Sequence, residues 1–271
     1  MELFGDAMGI VQPIDESNRE FVGTLAKGLS VIRAFGKDSP AMSVSQVAKL
    51  TDMTRAAARR FLLTLHALGY VECDGRSYRL AAKTLELGFS FLSSHSWLSV
   101  ASPLLEMLKA ELGESVSLTV LESVDVVYLV RFPANRVMTL SMEVGSRRPA
   151  YCTAMGRALL GELPEPEARR ILDASDLKTH TPRTVTDKEA LMGEFRKARQ
   201  LGYATIDQEL EDGLVAVSVP LRDAKGAVLA AANVCGHSSY LSVGDLETRC
   251  LPALRDCVAR ISRSLVWPSA L

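Results

Sequence analysis

Three arginines, Arg55, Arg59 and Arg60, crowd the start of a segment otherwise rich in alanine and leucine. Guanidinium groups clustered in this way neutralise phosphates and can fork onto the edge of a guanine. A second concentration is the string Pro149-Ala150-Tyr151-Cys152-Thr153-Ala154-Met155-Gly156-Arg157. Its small residues precede a helical pattern, and a helix beginning there would offer unpaired N–H groups and a positive end to a carboxylate. The alternative is that Thr153 only caps a structural helix, and both readings stand at this point. A third group is Asn233, Cys235 and His237, each two residues from the next, so that a strand would carry all three on one face.

That last alternation raises the question of catalysis. A cysteine nucleophile needs a base within reach and a third group to orient the base. Cys235 and His237 supply two of these, and no third is apparent. A buried, unreactive thiol is the commoner use of cysteine. Redox sensing by Cys152 or Cys235 would require a depressed thiol pKa. A metal held by Cys235, His237 and a distant acid has no ligand spacing behind it. The expectation is therefore no catalytic set, no metal and no cofactor, with a small-molecule-converting enzyme or a redox sensor as the alternative. Arg131 ends an apolar strand and could pair either with a ligand carboxylate or with a local acid.

The elements that position these residues follow from hydrophobic period and caps. Residues 24–36 place Leu25, Leu29, Ile32 and Phe35 at helical spacing, with Gly36 as a stop. Ser43 caps a short helix whose Val44, Val47 and Leu50 are expected to face one way. A three-residue turn, Thr51-Asp52-Met53, leads to Thr54, which caps a third helix ending at Gly69. On that helix Phe61, Leu62, Leu65 and Leu68 form the expected buried side, while Ala56, Ala57 and Ala58 let the backbone approach DNA. Residues 70–80 read as strand, Asp-Gly turn and strand. Three helices, a tight turn and a hairpin spell a winged helix-turn-helix, with Arg76 at the wing tip.

Beyond it, helical patterns at 81–95 and 97–112 connect to a region of mixed period. Strands are expected at 115–121, 126–132, 138–144, 203–207, 214–221 and 227–235. Helices are expected at 153–163, 165–173, 187–201 and 243–265. This makes an α+β domain on an antiparallel sheet. The expected division is a flexible arm at 1–22, the DNA-binding domain at 23–80, a linker helix at 81–96 and a second domain at 97–266.

Composition agrees with that plan. The 271 residues are 48% hydrophobic with a formal net charge of −1, which suits a folded chain of two domains. Residues 24–83 nonetheless carry ten lysines and arginines against four acids, leaving the remainder net acidic. A basic module on an acidic body points to a polyanion bound at one end. No apolar run reaches the length of a membrane span, and the acidic first residues do not resemble a secretory signal. Five scattered cysteines without a C-x-x-C pair suit a reducing cytoplasm. Low aromatic content argues against a base-stacking, single-strand binder.

Residues 24–80, with GLSVIRAF and VAKLTDMTRAAARRFLLTLHALGYV, resemble the DNA-binding half of the IclR family of bacterial regulators. GSRRPAYCTAMGRALL at 145–160 and GYATIDQELEDGLVAVSVPLRDAKGAVLAAANV at 202–234 are similar to its second half. The TRAAARR string resembles the branch controlling protocatechuate, 4-hydroxybenzoate and β-ketoadipate metabolism. Many members carry Ser-Thr where this chain has Ala56-Ala57, which removes two hydroxyls. The resemblance implies a transcriptional regulator with a GAF-like effector domain, double-stranded operator DNA as partner, and dimers or tetramers of the chain itself. It implies DNA contacts from Ser43, Ser45, Gln46, Thr54, Arg55, Ala56, Arg59, Arg60 and Arg76. It also implies a small carboxylate effector between the helix start and the sheet. There Ala154, Met155 and Gly156 would offer amides, Asp207, Asn233 and Cys235 side chains, and Ala216 a wall.

Overall fold

The computed structural model describes residues 20–134 and 142–265. Contacts divide them between Ser96 and Trp97 into two units.

The first unit begins with α1 (Gly23–Ala34), α2 (Val44–Leu50) and α3 (Arg55–Ala67). Ser43 caps α2 in a capping box with Gln46, and Thr54 caps α3 by accepting from the Ala57 amide. The α2–α3 turn contains a detail that spacing alone does not reveal. Asp52 sits at φ +50°, and the Met53 amide donates to the Ala48 carbonyl. These are the left-handed residue and the 6→1 bond of a Schellman close. Gly69, at φ +81°, ends α3 in the same way, with the Tyr70 amide on the Leu65 carbonyl. Strands β1 (Val71–Cys73) and β2 (Tyr78–Leu80) form the wing, paired Val71 to Leu80. Tyr78 also exchanges both backbone hydrogen bonds with Met42, stitching the wing to the residue ahead of α2. A core of Val31, Phe35, Met42, Val47, Ala58, Leu62, Leu65, Val71 and Tyr78 holds these elements together. The 81–96 segment is a 3-10 turn, Ala82–Thr84, followed by α4 (Leu85–Ser94).

The apolar stripes expected from spacing are only partly the buried ones. Leu25, Leu29, Leu50 and Leu68 are exposed, and Val31 is the buried residue of α1. In a unit this small, one face of each helix exhausts the available core.

The second unit is a six-stranded antiparallel sheet between two helical layers. Its strands are β3 (Ser115–Glu122), β4 (Asp125–Phe132), β5 (Arg147–Pro149), β6 (Ala204–Asp207), β7 (Leu214–Arg222) and β8 (Val228–His237). Their order across the sheet is β5-β4-β3-β8-β7-β6. One face packs on α5 (Trp97–Leu112) and on the C-terminal α10 (Leu251–Ser264). The other packs on α6 (Ala154–Glu162), α7 (Glu165–Ala174) and α8 (Lys188–Leu201). The final helix, expected as continuous, starts as α9 (Val243–Asp245) and passes through a π-helical turn, Leu246–Cys250, before α10. The strand expected at 138–144 falls partly on residues outside the described set. Its described part, Met142 to Val144, is not a strand, and the chain instead forms β5 a few residues later. The short β5 runs through Arg-Arg-Pro, which lacks the alternating pattern that marks a strand.

Candidate functional site

On α3 the period sorts the residues cleanly. Ala58, Leu62 and Leu65 face the core, and Arg55, Ala56, Arg59 and Arg60 are exposed together on the opposite side. Ala58 therefore packs inward and does not offer the close backbone approach expected of all three alanines. The exposed side presents three cations within two turns, a surface suited to a groove about 12 Å wide. Ser45 is exposed on α2. Ser43 is the cap expected of it, and Gln46 completes the capping box. The Ser43 amide and hydroxyl both donate to Gln46 Oε1, and the Gln46 amide donates to Ser43 Oγ. They fix the start of α2 in the first place. Thr54 Oγ1 accepts from Ala57, which leaves its O–H as a donor. At the wing tip Asp74 accepts from the Arg76 and Ser77 amides, and Gly75 takes φ +91°. These bonds hold the Asp74 carboxyl below its ordinary range and display Arg76 to solvent.

The second unit carries a different kind of site on the α6 side of its sheet. Pairing places Arg131 opposite Ser117, Ser117 opposite Asn233, and Asn233 opposite Ser218. Four adjacent strands thus contribute one row of polar side chains to a face otherwise lined by Tyr128, Ala231, Cys235 and Ala216. Ser117 and Asn233 are 0% and 1% exposed. Arg131 Nη1, Ser117 Oγ and Asn233 Oδ1 are all buried without a hydrogen-bond partner among the described residues. Buried polar atoms are nearly always satisfied, and each one left alone costs about 1–3 kcal/mol. Three such atoms from three neighbouring strands leave this face with unmet hydrogen-bonding capacity. Ser218 is not part of this deficit, because its hydroxyl donates to the Ala232 carbonyl. The Arg131 guanidinium lies 5.8 Å from the Tyr128 ring centre, and Tyr128 donates to Met142 Sδ.

The start of α6 lies against the same apolar cluster, with Ala154 and Met155 buried. Their amides occupy the first two helical positions, where no intrahelical acceptor exists. Gly156 is occupied otherwise. Its amide donates to Thr153 Oγ1, and a Cβ there would come within 2.0 Å of the Ala150 carbonyl oxygen. Its lack of a side chain serves packing, and it is not an open amide for a ligand. Ala216 and Cys235 pair across β7 and β8 and lie in the same buried cluster as Ala154 and Met155.

Asp207 does not join the cluster. Ile206 takes the inward position on β6, so Asp207 alternates away from it, and its carboxylate pairs with Arg183 and Gln208. Sequence reasoning also missed Ser117. The available signal was the run Ser115, Ser117, Thr119, three hydroxyls alternating with Val116, Leu118 and Val120.

The thiols and the imidazole are not arranged for catalysis. Burial pushes the Cys235 thiol up and the Cys152 thiol up to about 12, the opposite of nucleophile activation. His237 Nδ1 bonds to Ser239 at the exposed end of β8. Among the described residues no group of three or more His, Cys, Asp or Glu could hold a metal, and no helix is long and apolar enough to cross a membrane.

Two family models match the chain. Residues 24–75 match the IclR helix-turn-helix domain, and residues 89–263 match the C-terminal domain described as bacterial transcriptional regulator IclR. The Pca regulon regulatory protein of Pseudomonas putida is 41% identical over 87% of this chain and 81% of its own length. A crystal structure of a transcriptional regulator from Rhodococcus sp. RHA1 superposes with TM-score 0.80 at 42% identity, covering 90% of this chain and 98% of that one. An IclR homolog from Microbacterium hydrocarbonoxydans, solved in complex with 4-hydroxybenzoate, gives TM-score 0.78 at 25% identity, covering 89% and 98%. Such relatives are regulators, which agrees with a site that lacks an activated nucleophile. The helix-turn-helix with its basic face and the sheet with its buried polar row thus belong to one design, and the chain is a member of the IclR family of bacterial transcriptional regulators.

Proposed function

We propose that this regulator binds operator DNA through α2, α3 and the wing, and that a small aromatic carboxylate bound against the α6 face of the sheet controls that binding. The observation that carries the reading is the buried polar row whose Arg131 Nη1, Ser117 Oγ and Asn233 Oδ1 lack partners among the described residues. It is a guest site in a domain whose 4-hydroxybenzoate-bound homolog shares its fold. On the DNA side, Arg55, Arg59 and Arg60 reach the major groove, Ser45, Thr54 and Ala56 flank them, and Arg76 meets a neighbouring phosphate. Counting phosphates, not listing bases, is what this surface supports.

The regulator acts as a homodimer or a higher assembly in this proposal. Support comes from the exposed Leu25 and Leu29 of α1 and Leu85 and Phe89 of α4, the last two 76% and 70% exposed. Its place is the cytoplasm, where DNA and reduced thiols are found together.

The experiment is a thermal-shift screen of aromatic acids, followed by gel shifts on DNA from the protein's own promoter region with and without the best hit. A ligand at 100 times its Kd raises stability by about 2.7 kcal/mol. The expected result is a stabilising aromatic acid that changes the midpoint of the gel shift. A screen in which neutral or cationic compounds stabilise the protein and acids do not would overturn the reading.

A further inference from the structure

The buried row of the second unit asks for a ligand with two complementary groups, and resting on the proposal that the ligand is an aromatic carboxylate, the roles can be divided. Two features compete for the anion. The start of α6 offers roughly half a positive charge, spread over amides. Arg131 offers a full charge. Its Nη1 is buried, and none of the ion pairs among the described residues includes it. A half-buried guanidinium with one nitrogen sealed from water and no counter-charge among the described residues gains more from an anion than a helix end does. Ser117, its register partner on β3, adds an O–H donor beside it.

Asn233, one strand further, differs in kind. The unpartnered atom is Oδ1, an acceptor, which repels a carboxylate and needs an O–H or N–H. We propose that Arg131, with Ser117, anchors the effector carboxylate and that Asn233 reads a hydroxyl on the same ligand, so the preferred class is hydroxylated aromatic acids. Unsubstituted benzoate would leave Asn233 Oδ1 buried and unmade, the expensive half of the hydrogen-bond balance.

Isothermal titration of the full chain with 4-hydroxybenzoate, 3-hydroxybenzoate, benzoate and 4-hydroxybenzamide separates the roles. The wild-type chain should bind a hydroxybenzoate at least about tenfold tighter than benzoate and than the amide. Arg131→Gln should bring the preference for acid over amide to about one while keeping the hydroxyl preference, and Arg131→Lys should fall between. Asn233→Leu should erase the hydroxyl preference and keep the acid preference. Met155→Pro, which removes an amide from the first turn where proline is tolerated, should change neither. An acid preference that survives Arg131→Gln, or that disappears in Met155→Pro, overturns the anchor. Equal affinity of the wild-type chain for benzoate and both hydroxybenzoates overturns the role of Asn233. If Arg131→Gln does not fold, Arg131→Lys and the wild-type ligand ratios still decide. Failure of every acid to bind the wild-type chain at millimolar concentration sinks the aromatic-carboxylate reading itself.

Discussion

Single residues of this protein are governed by what burial does to charge and to hydrogen bonding. Four thiols, Cys152, Cys235, Cys250 and Cys257, are buried, while Cys73 is half-buried in the wing. Desolvation raises all four, Cys152 to about 12 and Cys257 to about 11. A raised thiol pKa means a vanishing thiolate fraction at pH 8, and only the thiolate attacks a disulfide reagent. The native chain should therefore show at most one fast-reacting thiol at pH 8, lost in Cys73→Ser, with the other four appearing on denaturation. Fast modification of Cys235 in the native protein would restore the redox alternative. On the DNA side, replacing Arg55, Arg59 or Arg60 by alanine should each lower the salt slope of log affinity by about one where that arginine contacts a phosphate. A triple variant that folds and still shifts promoter DNA unchanged would remove α3 from the interface. At this scale the sequence was informative where residue type and parity agreed. Asn233 and Cys235 are two apart and share a face, whereas Asp207, chosen by resemblance, lies at the wrong parity relative to Ile206. Ser117 stayed hidden because a serine in a strand means little until its register partner is known.

Elements are set by caps and closures, and these were the most legible part of the chain. Ser43, Thr54 and Thr153 each cap the helix that their type and position suggested. The α2–α3 turn was legible as a turn but not in its conformation, since Asp52 occupies a left-handed position more often filled by glycine. Asp52→Val should thus destabilise the first unit by about 1–2 kcal/mol in denaturant unfolding, because a β-branched side chain is strained at positive φ. Asp52→Gly should be neutral or slightly stabilising. Equal stability of the valine variant would contradict the Schellman assignment. In the second unit α6 is tied down by a pairing that no local pattern could announce, since its partners lie far apart in the chain. Arg157 and Glu209 meet through two 2.6 Å hydrogen bonds at 3% and 9% side-chain exposure. Glu209 also accepts from the Val185 amide, and Arg157 donates to the Tyr151 carbonyl. The pair clamps the first turn of α6 to two loops. Glu209→Gln strands a buried guanidinium beside a neutral amide and should cost about 3–5 kcal/mol. An Arg157→Met/Glu209→Met double variant should cost less than that single change. The reverse order, measured by urea unfolding, would mean that the pair and its hydrogen bonds contribute net stability that apolar packing does not replace.

The whole molecule places a basic DNA-binding unit and an acidic, ligand-binding unit on one chain, as the charge count of the sequence indicated. What the sequence could not contain is the coupling between them, because coupling is a difference in free energy between arrangements and not a property of any motif. It has a measurable consequence all the same. If a bound acid changes operator affinity by some factor, operator DNA must change affinity for the acid by the same factor, since both describe one closed cycle. Couplings of this kind are typically about 5–150-fold. With 4-hydroxybenzoate as probe, titrations in the presence and absence of saturating promoter DNA should therefore differ by the same ratio as DNA titrations with and without the acid. Matching ratios away from one place control in the equilibrium between the DNA-competent state and its alternative, because a ligand with no differential affinity shifts nothing. Two ratios of one, with the acid demonstrably bound, would show that the effector leaves DNA affinity alone. Control would then have to act on a step after binding, and changes in the basic face of α3 would alter promoter occupancy without altering the response to the acid.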